Sequence, residues 1–118
     1  MTGTDADTVL EPLSDADCRA ILCLLDEPHT AKEVTASCDL PRTSAYRKLT
    51  ALSEAGLVEE RTRVRTDGNH VTAYVRDCAG VFVSVDEGSE SVSVDVVREP
   101  ESPDERLERL WARIGEEL

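Results

Sequence analysis

Apolar residues between positions 40 and 56 recur at the spacing of a helix, and the rest of the chain is organised around this stretch. Ala45, Leu49 and Leu52 lie at i, i+4 and i+7, which gives one apolar stripe. The other face carries basic, hydroxyl and aromatic side chains with no acid among them: Arg42, Thr43, Ser44, Tyr46, Arg47 and Lys48. The pattern predicts a helix that packs on a core with one side and presents a basic face on the other.

The ends of this helix also have sequence signals. Pro41 suits the first helical position, where a missing N–H costs nothing. Gly56 suits a left-handed C-cap, and Leu57 is placed for the hydrophobic contact that accompanies it.

Two shorter helices are predicted before the basic one. Ser14 with Asp17 resembles a capping box, and apolar residues then recur at helical spacing to about Asp26, namely Cys18, Ile21, Leu22 and Leu25. Thr30 and Glu33 form a second capping box for a helix that ends at about Ser37. We expect residues 1–12 to be a disordered acidic leader.

After Gly56 the hydrophobic period changes to that of a strand. From Leu57 to Arg65 bases occupy alternate positions, which places Arg61, Arg63 and Arg65 on one face. Asp67 and Gly68 give a hairpin turn signal, and residues 70–75 return as the partner strand with His70 at its start. This hairpin has the layout of a wing.

The last third of the chain predicts a second hairpin and a helix. Val81, Val83 and Val85 alternate with polar residues and Phe82, and Val92, Val94 and Val96 do the same after a turn. Ser102 and Pro103 begin a helix whose stripe contains Leu107, Leu110, Trp111 and Ile114. The order of the elements, three helices followed by two hairpins and a last helix, indicates an α+β fold. The apolar stripe of the last helix is larger than a chain end needs for its own packing, which favours a dimerisation helix.

The run DLPRTSAYRKLTALSEAGLVEE, residues 39–60, resembles the recognition helix and first wing strand of a winged helix-turn-helix regulator. The nearest likeness is to the ArsR-like group, and it extends over residues 13–76. The resemblance implies a DNA-binding domain over 13–76, followed by an accessory hairpin and dimerisation helix over 77–118. It implies a homodimer that binds a pseudo-palindromic operator in double-stranded DNA.

Net charge supports this assignment through its distribution. The chain has a net charge of −12, with 25 acids, 11 Arg and only two Lys, a composition that resembles the proteins of salt-in halophilic archaea; an ordinary acidic bacterial protein is the alternative. Residues 42–76 nevertheless hold seven bases and four acids. Positive charge is therefore concentrated where the resemblance implies contact with DNA.

Each basic residue has an expected role in such a complex. Arg47 suits bidentate contact with guanine, and Arg42 suits the same contact or a phosphate. Lys48 suits a phosphate, and Thr43, Ser44 and Tyr46 suit phosphates or thymine methyl groups. The wing residues Arg61, Arg63, Arg65 and His70 suit a minor groove or the backbone, or else form a solvated basic edge strand. In molar salt we expect carboxylates beside the interface to hold K⁺ or Na⁺.

Other functions have weaker support. A winged-helix module that docks on a protein in a larger transcription assembly is the main alternative. The chain has four cysteines, and they form no CxxC pair and lack the close-spaced ligands of thiol metal sensors: Cys18, Cys23, Cys38 and Cys78. We therefore expect that they bind no metal and that most of them lie in the core, and a redox switch remains an alternative.

No cofactor motif or catalytic constellation is present, so an enzyme is the least supported class of protein. No signal peptide or membrane-spanning run is evident, which predicts a cytoplasmic location.

Overall fold

The computed structural model describes residues 5–88 and 90–98, together with residues 107, 108, 111, 112 and 114. Within them the elements, in chain order, are α1 (Ala6–Leu13), α2 (Ala16–Leu24), β1 (His29–Thr30), α3 (Ala31–Cys38), α4 (Arg42–Glu54), β2 (Val58–Val64), β3 (His70–Arg76), β4 (Gly80–Asp86) and β5 (Ser91–Val97). Residues 107, 108, 111, 112 and 114 are also helical.

The strands form two antiparallel sheets. In the first, β3 lies between β1 and β2, and the β2–β3 register runs from Val58 opposite Arg76 to Val64 opposite His70. The turn between these strands has Gly68 at φ +86°, a conformation that favours glycine. In the second sheet β4 pairs with β5. Helices α2, α3 and α4 with the β2–β3 wing form a winged helix-turn-helix, and the predicted α+β class is confirmed.

One hydrophobic core holds these elements together. The side chains of Ile21, Val34, Leu49 and Leu52 are fully buried where α2, α3 and α4 meet. Each such aliphatic side chain contributes about 1.5–3 kcal/mol through its removal from water. Val94 of β5 belongs to the same cluster, so the second hairpin is anchored on the core that supports the helices.

The N-terminal segment differs from the prediction of a disordered leader over residues 1–12. Ala6–Leu13 is a helix, α1, with Val9 fully buried and Pro12 also buried. Leu10 and Leu13 pack against the same core. The sequence does contain a helical pattern here, because apolar residues lie at i, i+3, i+4 and i+7: Ala6, Val9, Leu10 and Leu13. The acids between them make this short pattern hard to recognise.

The predicted helix starts are confirmed for α3 and shifted by one residue for α2 and α4. Thr30 and Glu33 form the capping box that opens α3. The N-cap of α2 is Asp15, whose carboxylate accepts from the N–H of Asp17, whereas Ser14 was predicted. Pro41 is the N-cap of α4 and not its first helical residue.

The end of α4 has the predicted glycine cap. Gly56 has φ +76°, its N–H donates to the carbonyl of Ser53, and the N–H of Leu57 donates to the carbonyl of Leu52, both at 3.0 Å. This pair of bonds is the Schellman arrangement, and it turns the chain directly into β2. The direction of the wing is therefore set by the last turn of the basic helix.

Candidate nucleic-acid interface

The solvent face of α4 lies opposite its buried stripe. Ala45, Leu49 and Leu52 are fully buried, so Thr43 and Arg47, about half a turn away, are exposed. Thr50 is also exposed and lies three residues after Arg47 on the same face. The sequence alone does not predict Thr50 as a DNA contact, because a threonine late in a helix has no pattern that distinguishes it.

A groove of about 620 Å³ separates this helix from the wing. Arg42 and Tyr46 line it from α4, and Arg63, Arg65 and His70 line it from the wing. These five residues were predicted as DNA contacts from two separate segments of the sequence, and the fold places them around one groove. Lys32 of α3 also lines it and was missed, because a single lysine beside Glu33 gives no basic pattern.

Arg42 is held by an aromatic neighbour. Its guanidinium carbon lies 5.8 Å from the centre of the Tyr46 ring, one helical turn along α4. A cation over a ring face at this distance gains about 0.5–1 kcal/mol at an exposed site. The contact restricts the arginine to the side of the helix that faces the groove.

The N-terminus of α4 is open to an anion. Among the described residues, none caps its first turn through a side chain, and that turn contains no acid. The free N–H groups and the positive end of the helix dipole favour a phosphate at this position. Arg42 and Thr43 stand beside these groups, which suits them to contact the backbone of a nucleic acid.

Arg63 has two partners within the protein. Its Nη1 lies 3.0 Å from Glu33 Oε1, and its Nη2 donates to the carbonyl of Pro28 at 2.7 Å. The Glu33 Oε1 atom also accepts from the N–H of Thr30 at 2.8 Å. The hydrogen bond from the N–H of Thr30 is the main cause that holds the pKa of Glu33 below its usual value. The Arg63 guanidinium lowers this pKa further. Arg63 thus ties the wing to the start of α3 as well as lining the groove.

The remaining wing bases are placed differently from one another. Arg61 forms an ion pair with Glu59 on its own strand, at 2.9 Å. Arg65 and His70 stand at the distal end of the wing, where the N–H of Arg65 donates to the carbonyl of Asn69. The three arginines share one face by alternation, but their partners make Arg65 the best placed of them to reach a ligand.

The side chain of Lys48 is placed differently from the prediction that it contacts a phosphate. Its ammonium donates to the carboxylate of Asp15 and lies 4.0 Å from that of Asp17, and its side chain is only 15% exposed. The hydrogen bond between them raises the pKa of Lys48 and lowers that of Asp15. Lys48 therefore joins α4 to the start of α2, and its charge is neutralised within the protein.

Acidic side chains flank the side of α4 that lies away from the groove. A hollow of about 520 Å³ is lined by Arg47 and Lys48 together with Glu11, Asp15 and Glu54. Ser44, half-buried, lies on the same flank of α4 by helical spacing, because it precedes Lys48 by four residues. Arg47 therefore stands between a basic groove and an acidic hollow.

Three of the four thiols are buried or half-buried, which disfavours their oxidation. Burial raises the pKa of Cys18 to about 11, and it also raises the pKa of Cys38 and Cys78. Since the thiolate is the reactive form, a raised pKa disfavours reaction of these three thiols. Cys23 is exposed, and all four cysteines are free.

The described residues contain no cluster of metal ligands and no helix suited to cross a membrane. Among them, no group of three or more His, Cys, Asp or Glu side chains is arranged to bind a metal ion. None of the helices formed by these residues combines the length and the apolar character that crossing a membrane requires.

The proposed dimerisation residues are exposed where they are described. Leu107, Trp111 and Ile114 are helical and 53%, 63% and 49% exposed, respectively. Leu110, the fourth member of the predicted stripe, lies outside the described residues.

A comparison with protein families agrees with the helix-turn-helix geometry. Residues 13–61 match a family described as a helix-turn-helix domain. A solved structure titled "Possible transcriptional regulator from Methanosarcina mazei Go1" is similar over 94% of this chain and 82% of that chain, with 15% identity and a TM-score of 0.47. No curated protein matches the chain significantly. Residues 13–61 include α2, α3 and α4, so the family match lies on the helices that form the helix-turn-helix.

Proposed function

We propose that the protein is a sequence-specific transcription regulator that binds double-stranded DNA through α4 and the wing. The observation that carries the proposal is the groove that joins Arg42 and Tyr46 of α4 to Arg65 and His70 of the wing. The chain has a net charge of −12, so a cationic groove beside an exposed helix face is a localised exception. Such localisation is the electrostatic footprint of a nucleic-acid site.

In the proposed complex α4 is the reading helix, and its solvent face enters the major groove. Arg47 stands at the centre of that face and has the donor geometry for guanine, while Thr43 and Thr50 flank it. Arg42 and the open N-terminus of α4 hold a phosphate. Arg65 and His70 follow the backbone or the minor groove beyond it.

The proposal includes a homodimer formed through the C-terminal stripe. Large apolar side chains such as Trp111 and Leu107 are expected to be covered in the functional form, since aromatic anchors dominate interface energetics. A two-fold dimer reads two half-sites about one helical turn apart, which implies a pseudo-palindromic operator. Light scattering on a chain truncated before Ser102 tests this. The truncated chain should be monomeric, and a persistent dimer would place the contact elsewhere.

The proposed relationship is to ArsR-like regulators of halophilic archaea. The basis is the run of residues 39–60 together with the scarcity of lysine and the excess of carboxylates.

At molar salt the screening length is only about 3 Å, so simple charge attraction between protein and DNA is weak. We therefore propose that carboxylates near the interface, such as Glu11 and Glu54, hold K⁺ or Na⁺ that remain with the complex. A shallow dependence of affinity on KCl concentration supports this, and an ordinary steep loss of affinity argues against it.

A second candidate function is a winged-helix module that binds a protein. It is favoured by the distal end of the second hairpin, where Val83, Val85 and Val92 are 44%, 72% and 41% exposed on one face. A contiguous exposed apolar face is typical of a protein contact. A monomer without affinity for any DNA would favour this candidate.

The direct experiment is selection of DNA fragments from the native genome in molar KCl, with Arg47→Ala as the matched variant. Arg47 is exposed, so its replacement should leave the fold intact. Enrichment of a few inverted-repeat sites by the wild-type chain alone supports the first candidate. Absence of enrichment for both chains supports the second.

A further inference from the structure

One arginine at the end of the second hairpin contacts two other parts of the fold. Arg98 directly follows β5, and its Nη1 donates to the carbonyl of Gly56, at the C-terminus of α4. The same nitrogen lies 3.0 Å from the carbonyl oxygen of Asp77 and 3.2 Å from its carboxylate Oδ2, just after β3. The side chain thus connects the reading helix, the base of the wing and the second hairpin.

The residues around this contact form a hydrogen-bonded junction. The N–H of Asp77 donates to the carbonyl of Leu57 at 2.9 Å, and the N–H of Ala79 donates to the carbonyl of Val97 at 2.6 Å. Each of these bonds joins segments far apart in sequence. Arg98 adds the side-chain link between the two bonded pairs.

Gly56 is suited to this junction in two ways. Its φ of +76° gives α4 the left-handed cap. A Cβ at the same position would lie 3.2 Å from Arg98 Nη2, closer than ordinary van der Waals contact. Glycine therefore both ends the helix and leaves space for the guanidinium against its carbonyl.

We propose that Arg98 is a positioning residue that fixes the second hairpin against the C-terminus of α4. The inference rests on the proposed function, in which the C-terminal stripe joins two protomers. The angle between that dimer contact and α4 then sets the distance between the two reading helices. Arg98 is accordingly a determinant of the half-site spacing that the dimer accepts.

The physical reason lies in how the hairpin is otherwise held. Val81, Val94 and Val96 pack it on the core, and such apolar contacts are non-directional. The Nη1 atom of Arg98 contacts two carbonyl oxygens and a carboxylate, and such charge-assisted hydrogen bonds are directional. Because Arg98 is about half exposed, its loss should loosen the orientation of the hairpin without unfolding the domain.

The test compares half-site spacing preferences of three variants with those of the wild-type chain. Duplexes selected by the wild-type chain from a random library are remade with the spacer between half-sites lengthened or shortened by one or two base pairs. Arg98→Ala is the test variant and Arg98→Lys is the conservative one. Arg19→Ala is the control, because Arg19 is exposed, contacts a backbone carbonyl of Leu13 and carries the same charge. Circular dichroism verifies that each variant is folded.

The wild-type chain and Arg19→Ala should lose about tenfold or more in affinity when the spacer changes, because geometry then prevents simultaneous engagement of both half-sites. Arg98→Ala should lose much of this preference while it keeps affinity for an isolated half-site, and Arg98→Lys should be intermediate. Full spacing preference in Arg98→Ala overturns the inference, as does a wild-type chain that binds without any spacing preference. Failure of the wild-type chain to bind any selected duplex overturns the proposed function itself.

Discussion

Lys48 on the reading helix donates its hydrogen bond to Asp15, the N-cap residue of α2. The pair joins two of the three helices of the helix-turn-helix, and it neutralises one of the cations that the sequence predicts as DNA contacts. The reading helix therefore has two kinds of basic residue. Arg42 and Arg47 face outward or toward the groove, whereas Lys48 holds α4 in place.

This distinction gives a test on the two lysines of the chain. Lys48→Met should lower the thermal midpoint by roughly a few degrees, because it leaves the Asp15 carboxylate without its cationic partner. DNA affinity should change little. Lys32→Met should do the reverse, since Lys32 is exposed and lines the groove. Differential scanning calorimetry and a DNA titration measure the two effects. A loss of affinity in Lys48→Met equal to that in Lys32→Met would contradict the assignment.

The wing arginines should separate in the same way. Arg65→Ala should weaken DNA binding and reduce the slope of log affinity against log salt by about one, as the loss of one phosphate contact does. Arg63→Ala should also lower stability, because it removes the link from the wing to Glu33 and Pro28. Titrations at several KCl concentrations, with a denaturation curve for each variant, provide the data. If both variants keep the wild-type affinity and salt slope, the wing makes no contact with DNA.

Stability should depend on pH in the acid range. The pKa values of Asp15 and Glu33 are lowered in the folded protein, so the unfolded chain binds more protons as the pH falls. Their stabilising contribution is complete above the ordinary carboxyl pKa and is lost as the pH falls through the lowered values. Urea denaturation between neutral pH and pH 3 should show this decline. It should be shallower in Glu33→Gln, and an unchanged slope in that variant would remove Glu33 as a cause.

The cysteines should be modified in order of exposure. Cys23 should react first with iodoacetamide and Cys18 last, since Cys18 is buried and its pKa is raised to about 11. Mass spectrometry of a time course measures the order. Modification of Cys23 alone should leave DNA binding intact. Loss of binding in a folded, singly modified protein would instead indicate a thiol switch.

Much of the fold could be predicted because its signals are local. The capping box of Thr30 and Glu33 and the glycine cap at Gly56 were both identified from neighbouring residues, and the structure has both. The alternation of the wing strands was equally clear, since a strand with one covered face repeats every two residues. The helix α1 was missed because its apolar stripe is short and interrupted by acids.

The candidate site could be predicted only in part, because helix faces are defined by tertiary packing. The sequence shows that Lys48 lies off the buried stripe, but not that Asp15 is beside it. The same holds for Arg63, whose partners Glu33 and Pro28 are about thirty residues away. Pairing between distant charges depends on the fold, so a basic residue in a binding motif is not thereby free to bind.

In the proposed function, the face of α4 with Arg47 reads DNA together with the groove beside the wing. The most direct measurement is sequencing of genomic DNA fragments that the protein retains in molar KCl, run in parallel with Arg47→Ala. We expect a small set of inverted-repeat promoter sites that the variant no longer enriches, because its specific affinity is weaker by about 1–3 kcal/mol. Equal enrichment by both proteins would show that Arg47 reads no base, and no enrichment by either would contradict the DNA-binding function.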